Sequence, residues 1–223
     1  MRIPGVVYQW RIAGQPDLLV RSHHQTAKIV VYVHGAGENQ DAMVTDPLKR
    51  PLTVALLDHG YSIAASYAHG ENWGDPASVE DYVRLIATLR SDGLTRVYIL
   101  AQSMGGLDAL QLIPREKITA WAAIYPVADV RSVARTLPRP DAALRRATTV
   151  AALSPARVAD ARGLPMIFWA SPRDTFVLKR LNTDVAAAEA LRDGAHVRVF
   201  STTGQHGDSS NFQAERLLAF FSG

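Results

Sequence analysis

Apolar residues along the chain fall into two kinds of run, and the two kinds alternate. Short runs rich in β-branched and aromatic residues predict strands near Val6–Ile12, Leu18–Arg21, Ile29–His34, Ser62–Tyr67, Arg96–Ala101, Ala120–Tyr125, Met166–Ala170 and Val197–Ser201. Longer runs with apolar positions three and four apart predict helices near Pro51–Asp58, Ala77–Arg90, Met104–Ile113, Val177–Arg192 and Asn211–Phe221. In the second of these, Val79, Tyr82, Val83, Ile86 and Leu89 share one face. The run Ile29-Val30-Val31-Tyr32-Val33 has no polar alternation, which suits a central strand covered on both sides.

Two opening strands followed by strand–helix alternation argue for an α/β domain around one mostly parallel sheet, with about eight strands predicted along the chain. Its crossovers would be right-handed and would place helices on both faces. Ligands of such sheets sit beyond the carboxyl ends of the strands, so the residues just after each strand carry the candidate chemistry. The segment 129–163 breaks the alternation. With prolines at 138, 140 and 155 and several arginines, it predicts a small cap or excursion on a single domain spanning 1–223.

Composition narrows this picture by exclusion. The 223 residues include no cysteine, so disulfides, thiolate nucleophiles and cysteine-bound zinc are ruled out. The formal charge is only +3, and basic residues form short clusters such as Arg145-Arg146 without interleaved aromatics, so no nucleic-acid partner is expected. No apolar run reaches the ~18 residues of a membrane span. The opening MRIPGVVYQWRIAG lacks the long apolar centre of a secretory signal. The expectation is a cytoplasmic protein without membrane association, secretion staying open if a signal was removed upstream.

The chemistry centres on ILAQSMGGLDAL, residues 99 to 110. Ser103 falls between a predicted strand and a predicted helix, and Ala101, Gly105 and Gly106 around it are all small. A capping serine at an ordinary turn would suit the position. So would a nucleophile held on a tight bend, because strand and helix then approach closely and leave no room for side chains at the flanking positions. The helix N-terminus beyond it would point amides at developing negative charge. Here the chain resembles the α/β-hydrolase family, whose nucleophile elbow is usually Gly-x-Ser-x-Gly. This chain departs with Ala-Gln-Ser-Met-Gly, which keeps the small-residue requirement.

The resemblance extends from Ile29 to the end of the chain. The strand VVYV ends in His34-Gly35-Ala36-Gly37, where the family carries its oxyanion loop. The resemblance implies oxyanion donors at the backbone amides of Ala36 and Met104, with Gly37 a further candidate. Gly35-Ala36-Gly37 also opens a dinucleotide-binding loop, but Gln40 stands where the third glycine should be, which excludes that reading. Past the strand MIFWA, Asp174 lies in SPRDTFV, which resembles the family's acid loop; past the last strand, His206 lies in TTGQHGD. The order Ser103, Asp174, His206 is the one this fold implies. In that triad His206 deprotonates Ser103, and Asp174 fixes the tautomer.

Each late residue has a plainer alternative. Asp174 would also cap a helix from Val177, Asp129 is a second candidate acid, and Asp208 suits a cap for the last helix. Ser210-Asn211-Phe212-Gln213 fits a capping box there. Of the other histidines, His23 and His24 lie on a short polar link, His59 ends a helix and His196 opens a strand. Candidate substrate contacts are His34, Gly37, His69, Trp73 and Gln102, against a reading in which Trp73 covers the sheet edge and the polar residues of AHGENWGDP close turns. Glu38 and Asn39 are equally open, and Gln102 and Met104 would floor a pocket or merely fill space.

The resemblance implies a monomeric serine hydrolase acting on a small-molecule carboxylic ester, with no metal or organic cofactor. Thioesterase, peptidase and acyltransferase chemistry use the same machinery, and a non-catalytic binding protein of the same fold is the rival from another class. A cap this small predicts an open, shallow site. Activity should rise as His206 loses its proton, since the neutral ring is the base.

Overall fold

The computed structural model describes residues 7–11 and 14–223, with residues 7–10 as backbone alone. Its eight strands are β1 (Val7–Trp10), β2 (Asp17–Arg21), β3 (Lys28–Val33), β4 (Ser62–Ser66), β5 (Arg96–Gln102), β6 (Ala120–Ile124), β7 (Pro165–Ala170) and β8 (His196–Ser201). They form one sheet in the order β1-β2-β4-β3-β5-β6-β7-β8. β2 pairs antiparallel with both β1 and β4, and every pairing from β4 through β3 to β8 is parallel. The ends of the first predicted strand, Val6 and Ile12, lie outside the described residues.

Between the strands run α1 (Ala42–Thr45), α2 (Arg50–Asp58), α3 (Pro76–Ser91), α4 (Gly105–Leu112), α5 (Val130–Thr136), α6 (Ala142–Ala147), α7 (Thr183–Arg192) and α8 (Ala214–Ser222). Side chains alternate across a strand, so each central strand feeds two cores. Ile29, Val31 and Val33 of β3 and Val97, Ile99 and Ala101 of β5 pack with α3, α4 and α7. Val30, Tyr32, Tyr98 and Leu100 pack on the opposite face with α1, α2 and α8. This two-sided burial is why β3 reads as an unbroken apolar run. The 129–163 segment contains α5 and α6, and its Val130, Val133, Leu144, Leu153 and Ala156 join the core on the α3/α4 face.

Two predicted helices start later than their apolar pattern suggests. The helix expected from Val177 becomes a 3-10 turn at Lys179–Leu181 followed by α7 from Thr183. Asn182 stands at the break: its Oδ1 accepts the Ala128 and Asp129 amides at 3.0 and 2.9 Å, and its Nδ2 donates to Ser132 Oγ at 2.9 Å. The helix expected from Asn211 begins at Ala214, behind a 3-10 turn at Ser209–Asn211. There is no capping box at this helix: the Ser210 hydroxyl accepts the Gly204 amide instead, at 3.1 Å, and Gln213 makes no side-chain cap. Asp208 does cap, but it caps the 3-10 turn through the Ser210 amide. At the first a side chain committed to a distant segment, and at the second side chains committed to the preceding loop, override local helix periodicity.

Candidate active site

Ser103 follows β5 immediately and occupies the left-handed region, at φ +50°. Its backbone is held on every side: its amide donates to Ile124 O at 3.0 Å, and its carbonyl accepts from Gly106 N at 2.9 Å and Val127 N at 2.8 Å. A strained φ of this kind costs ~1–3 kcal/mol and persists only where such bonds over-determine it. The two glycines that follow are steric necessities. A Cβ on Gly105 would overlap the Val33 carbonyl oxygen, and one on Gly106 would lie 2.6 Å from Val127 O.

Three side chains from separate loops meet at this bend. Ser103 Oγ is 3.2 Å from His206 Nε2, and His206 Nδ1 is 2.7 Å from Asp174 Oδ2. Asp174 is buried, at 3% exposure. Its other oxygen accepts the Phe176 and Val177 amides at 2.9 and 3.0 Å, so the cap to Val177 and the bond to His206 use different oxygens of one carboxylate. Asp129, the other candidate acid, instead caps α5 through the Arg131 and Ser132 amides. The imidazole of His206 lies against the Tyr125 ring, centroids 4.2 Å apart, and meets Phe176 edge-on at 6.0 Å. Burial, with the charges of Glu38, Asp174 and Asp46 nearby, pushes the Tyr125 phenol well above its ordinary range.

The loop carrying His206 is tied at its base by Asn211, whose Nδ2 donates to Gln205 O and Asp208 O, both at 3.1 Å, and whose Oδ1 accepts from Thr202 Oγ1. Glycine is required at 204 because the Asp208 carboxyl fills the space a Cβ would take.

Gly35 packs directly on the bend: a Cβ there would lie 3.4 Å from Ser103 Cβ. Among the described residues, the amides of Ala36 and Met104 have no internal acceptor. Burial and the neighbouring Asp141 push the Glu71 carboxyl upward in pKa, while the nearby Gly37 amide favours its charged form.

The remaining candidates are spread over several environments. His34 is buried, with Nδ1 2.9 Å from Gly35 O and Nε2 3.0 Å from Tyr67 O, so it braces two loops. His69 is half-exposed and pairs with Asp81 at 3.1 Å. Trp73 is 4% exposed and donates its indole N–H to Asp141 Oδ2 at 3.2 Å. Asn72 closes its own loop, donating to Ala68 O at 3.0 Å and accepting from Gly74 N at 2.9 Å. Gln102 turns away from the bend, toward Tyr32 and Glu38. Hollows of about 610 and 360 Å³ lie between α3, α4 and the 143–159 stretch, and neither is lined by Ser103 or His206.

Sequence reading missed Lys49, Asn182 and Asn211. Gln102, by contrast, was a candidate from sequence, and the Tyr98–Leu100 parity of β5 that it continues points to the face opposite α4.

A mostly parallel eight-stranded sheet, a left-handed serine at a strand-to-helix bend, and an acid and histidine on the loops after β7 and β8 define the α/β-hydrolase class. Residues 30–220 match the alpha/beta hydrolase family, and the chain belongs to it. No curated protein sequence matches the chain. Among solved structures, it is similar to an esterase of Pyrococcus furiosus (Pf2001), with a TM-score of 0.74 and 16% identity over 97% of this chain and 91% of that one. It is also similar to TT1662 of Thermus thermophilus, with a TM-score of 0.74 and 14% identity over 100% and 98% of the two chains. Est1E of Butyrivibrio proteoclasticus superposes at a TM-score of 0.68, with 15% identity over 98% and 100%. At these identities the likeness is one of fold. Among the described residues, no helix is long and apolar enough to cross a membrane.

Proposed function

We propose that this hydrolase is a serine esterase that cleaves small carboxylic esters through an acyl-enzyme, with Ser103, His206 and Asp174 as its triad. The observation that carries the reading is the continuous relay at 3.2 and 2.7 Å, ending on a serine at φ +50°. Ser103 Oγ attacks the ester carbonyl carbon while its proton passes to His206 Nε2. The carbonyl π electrons move onto oxygen, and that oxyanion is received by the amides of Ala36 and Met104. As the intermediate collapses, the bond to the alkoxide breaks and His206 returns the proton to the leaving oxygen. Water then attacks the acyl-enzyme with His206 as base, releasing the acid and restoring Ser103. Asp174 keeps the Nδ1–H oriented and stabilises the imidazolium.

The choice of ester over thioester or amide leans on the esterases of similar fold. The enzyme would act as a monomer on a small molecule, without metal, organic cofactor, nucleic acid or membrane.

A fluorophosphonate probe should form one adduct, on Ser103, and Ser103→Ala should abolish it. A folded protein that stays unlabelled would overturn the reading in favour of a binding protein. p-Nitrophenyl esters of graded chain length, beside thioesters and acetylated sugars, assign the substrate class; short acyl chains are expected to be preferred.

A further inference from the structure

Beneath the nucleophile bend lies a polar network that the relay does not use. Lys49 is 1% exposed, a rare burial for an ammonium group. Its Nζ is 2.8 Å from Glu38 Oε1, bonds Asp46, and sits 5.4 Å from the centroid of the Phe212 ring. Glu38 Oε1 also accepts from Gln102 Nε2 at 2.8 Å. Its Oε2 accepts from Tyr32 OH at 2.6 Å and from the Gly35 amide at 3.2 Å. The same Tyr32 hydroxyl lies 2.9 Å from Gln102 Oε1.

A carboxylate offers about four lone-pair positions, and here four donors come from three stretches of chain, Tyr32 and Gly35 on one and Lys49 and Gln102 on the others. Glu38 therefore reaches back to the first residue of its own turn, clasps the residue before Ser103, and is anchored from below by a buried cation. Burial and the Glu38 charge push the Tyr32 phenol well above its ordinary range, so that hydroxyl keeps its proton for this bond.

The bonds have a geometric consequence at the site. Gly35, which packs on Ser103, has its amide held by Glu38, while the next amide, Ala36, is left without an internal acceptor. Resting on the serine-esterase reading, we infer that Glu38 is a positioning residue for the oxyanion loop: it touches no reacting atom and sets the Ala36 amide relative to Ser103. Gln102 extends the same clamp to the strand that carries the nucleophile.

Glu38→Gln tests this. An amide keeps the size but presents two hydrogens where two donors already point. For a p-nitrophenyl ester, kcat should fall roughly 100-fold, the scale of a small misplacement of a catalytic group, while KM stays within about twofold because ground-state binding does not use the oxyanion donors. Fluorophosphonate labelling of Ser103 should slow in parallel. Should Glu38→Gln alone not fold, Glu38→Gln/Lys49→Met removes the stranded ammonium and is read instead.

A folded variant with unchanged kcat, or one whose loss is all in KM, overturns the assignment. Failure of both variants to fold would also overturn it, making the network a folding element. Absence of labelling in the unaltered protein would instead strike the serine-esterase reading, so the two failures are distinguishable.

Discussion

At Ser103 a side chain is displayed by a backbone conformation that most residues avoid, and its neighbours supply the restraint. Two backbone bonds to β6 and its following loop, with a third from Gly106 of α4, replace the local stability lost at φ +50°. Gly105 shows how little slack surrounds the bend, since its missing Cβ is the space occupied by Val33 O. Gly105→Ala should destabilise the fold by about 1–3 kcal/mol, read as a lower urea midpoint, and hydrolase activity should fall further than stability as the bend shifts. Ala101 in place of the usual first glycine is buried without exposure and packs in the α3/α4 core, so a methyl is accommodated there.

Among the elements, the loops after β7 and β8 matter more than the helices they lead into. Asn182 and Asn211 occupy positions where helix would otherwise begin; Asn182 satisfies backbone amides of a distant loop, and Asn211 satisfies carbonyls of the loop just before it. Removing such a partner leaves buried polar groups unsatisfied, at about 1–3 kcal/mol each. Asn211→Ala is expected to lower the unfolding midpoint and to reduce kcat roughly tenfold, because His206 depends on this loop for its reach to Ser103. Asn182→Ala, which ties the 128–132 stretch instead, should lower the midpoint with a smaller effect on kcat. Equal catalytic losses in both would show that the His206 loop is not held in this way.

Across the whole molecule, α4, which follows the Ser103 bend, is coupled to α3 by a buried acid. Asp108 is fully buried and bonds Ser78 of α3, and burial is the main cause that raises its pKa from 3.8 to about 7. A carboxyl raised in the folded state favours the protonated form, so its contribution is full below the unfolded value and is lost as pH climbs from about 4 through about 7. The span corresponds to about 4 kcal/mol, as an order of magnitude. Asp108→Asn removes the titration while keeping a side chain that can bond Ser78. The stability difference between Asp108→Asn and the unaltered protein should therefore grow in the variant's favour from pH 4 to 7 and level off above it. A difference independent of pH, measured by urea unfolding, would contradict the assignment.

What could be read from sequence was whatever is decided within a few residues. Short apolar runs of β-branched and aromatic residues placed the strands, and period-3.6 patterns placed five of the eight described helices, though two start later than their pattern. The small residues at 101, 105 and 106 announced a bend, and chain order suggested which acid and histidine to pair with it. Glu38 was visible but ambiguous, and Lys49 carried no signal at all. Their meaning depends on three stretches of chain brought together beneath one loop, and no local pattern encodes which donors a carboxylate will find. The helix start at Thr183 was decided the same way, by Asn182, whose partners lie about fifty residues away, and the start at Ala214 by the folding of the His206 loop onto Asn211. Local sterics and hydrophobic periodicity determined the elements; long-range hydrogen bonding, which exists only once those elements have packed, decided where they begin and how the site is held.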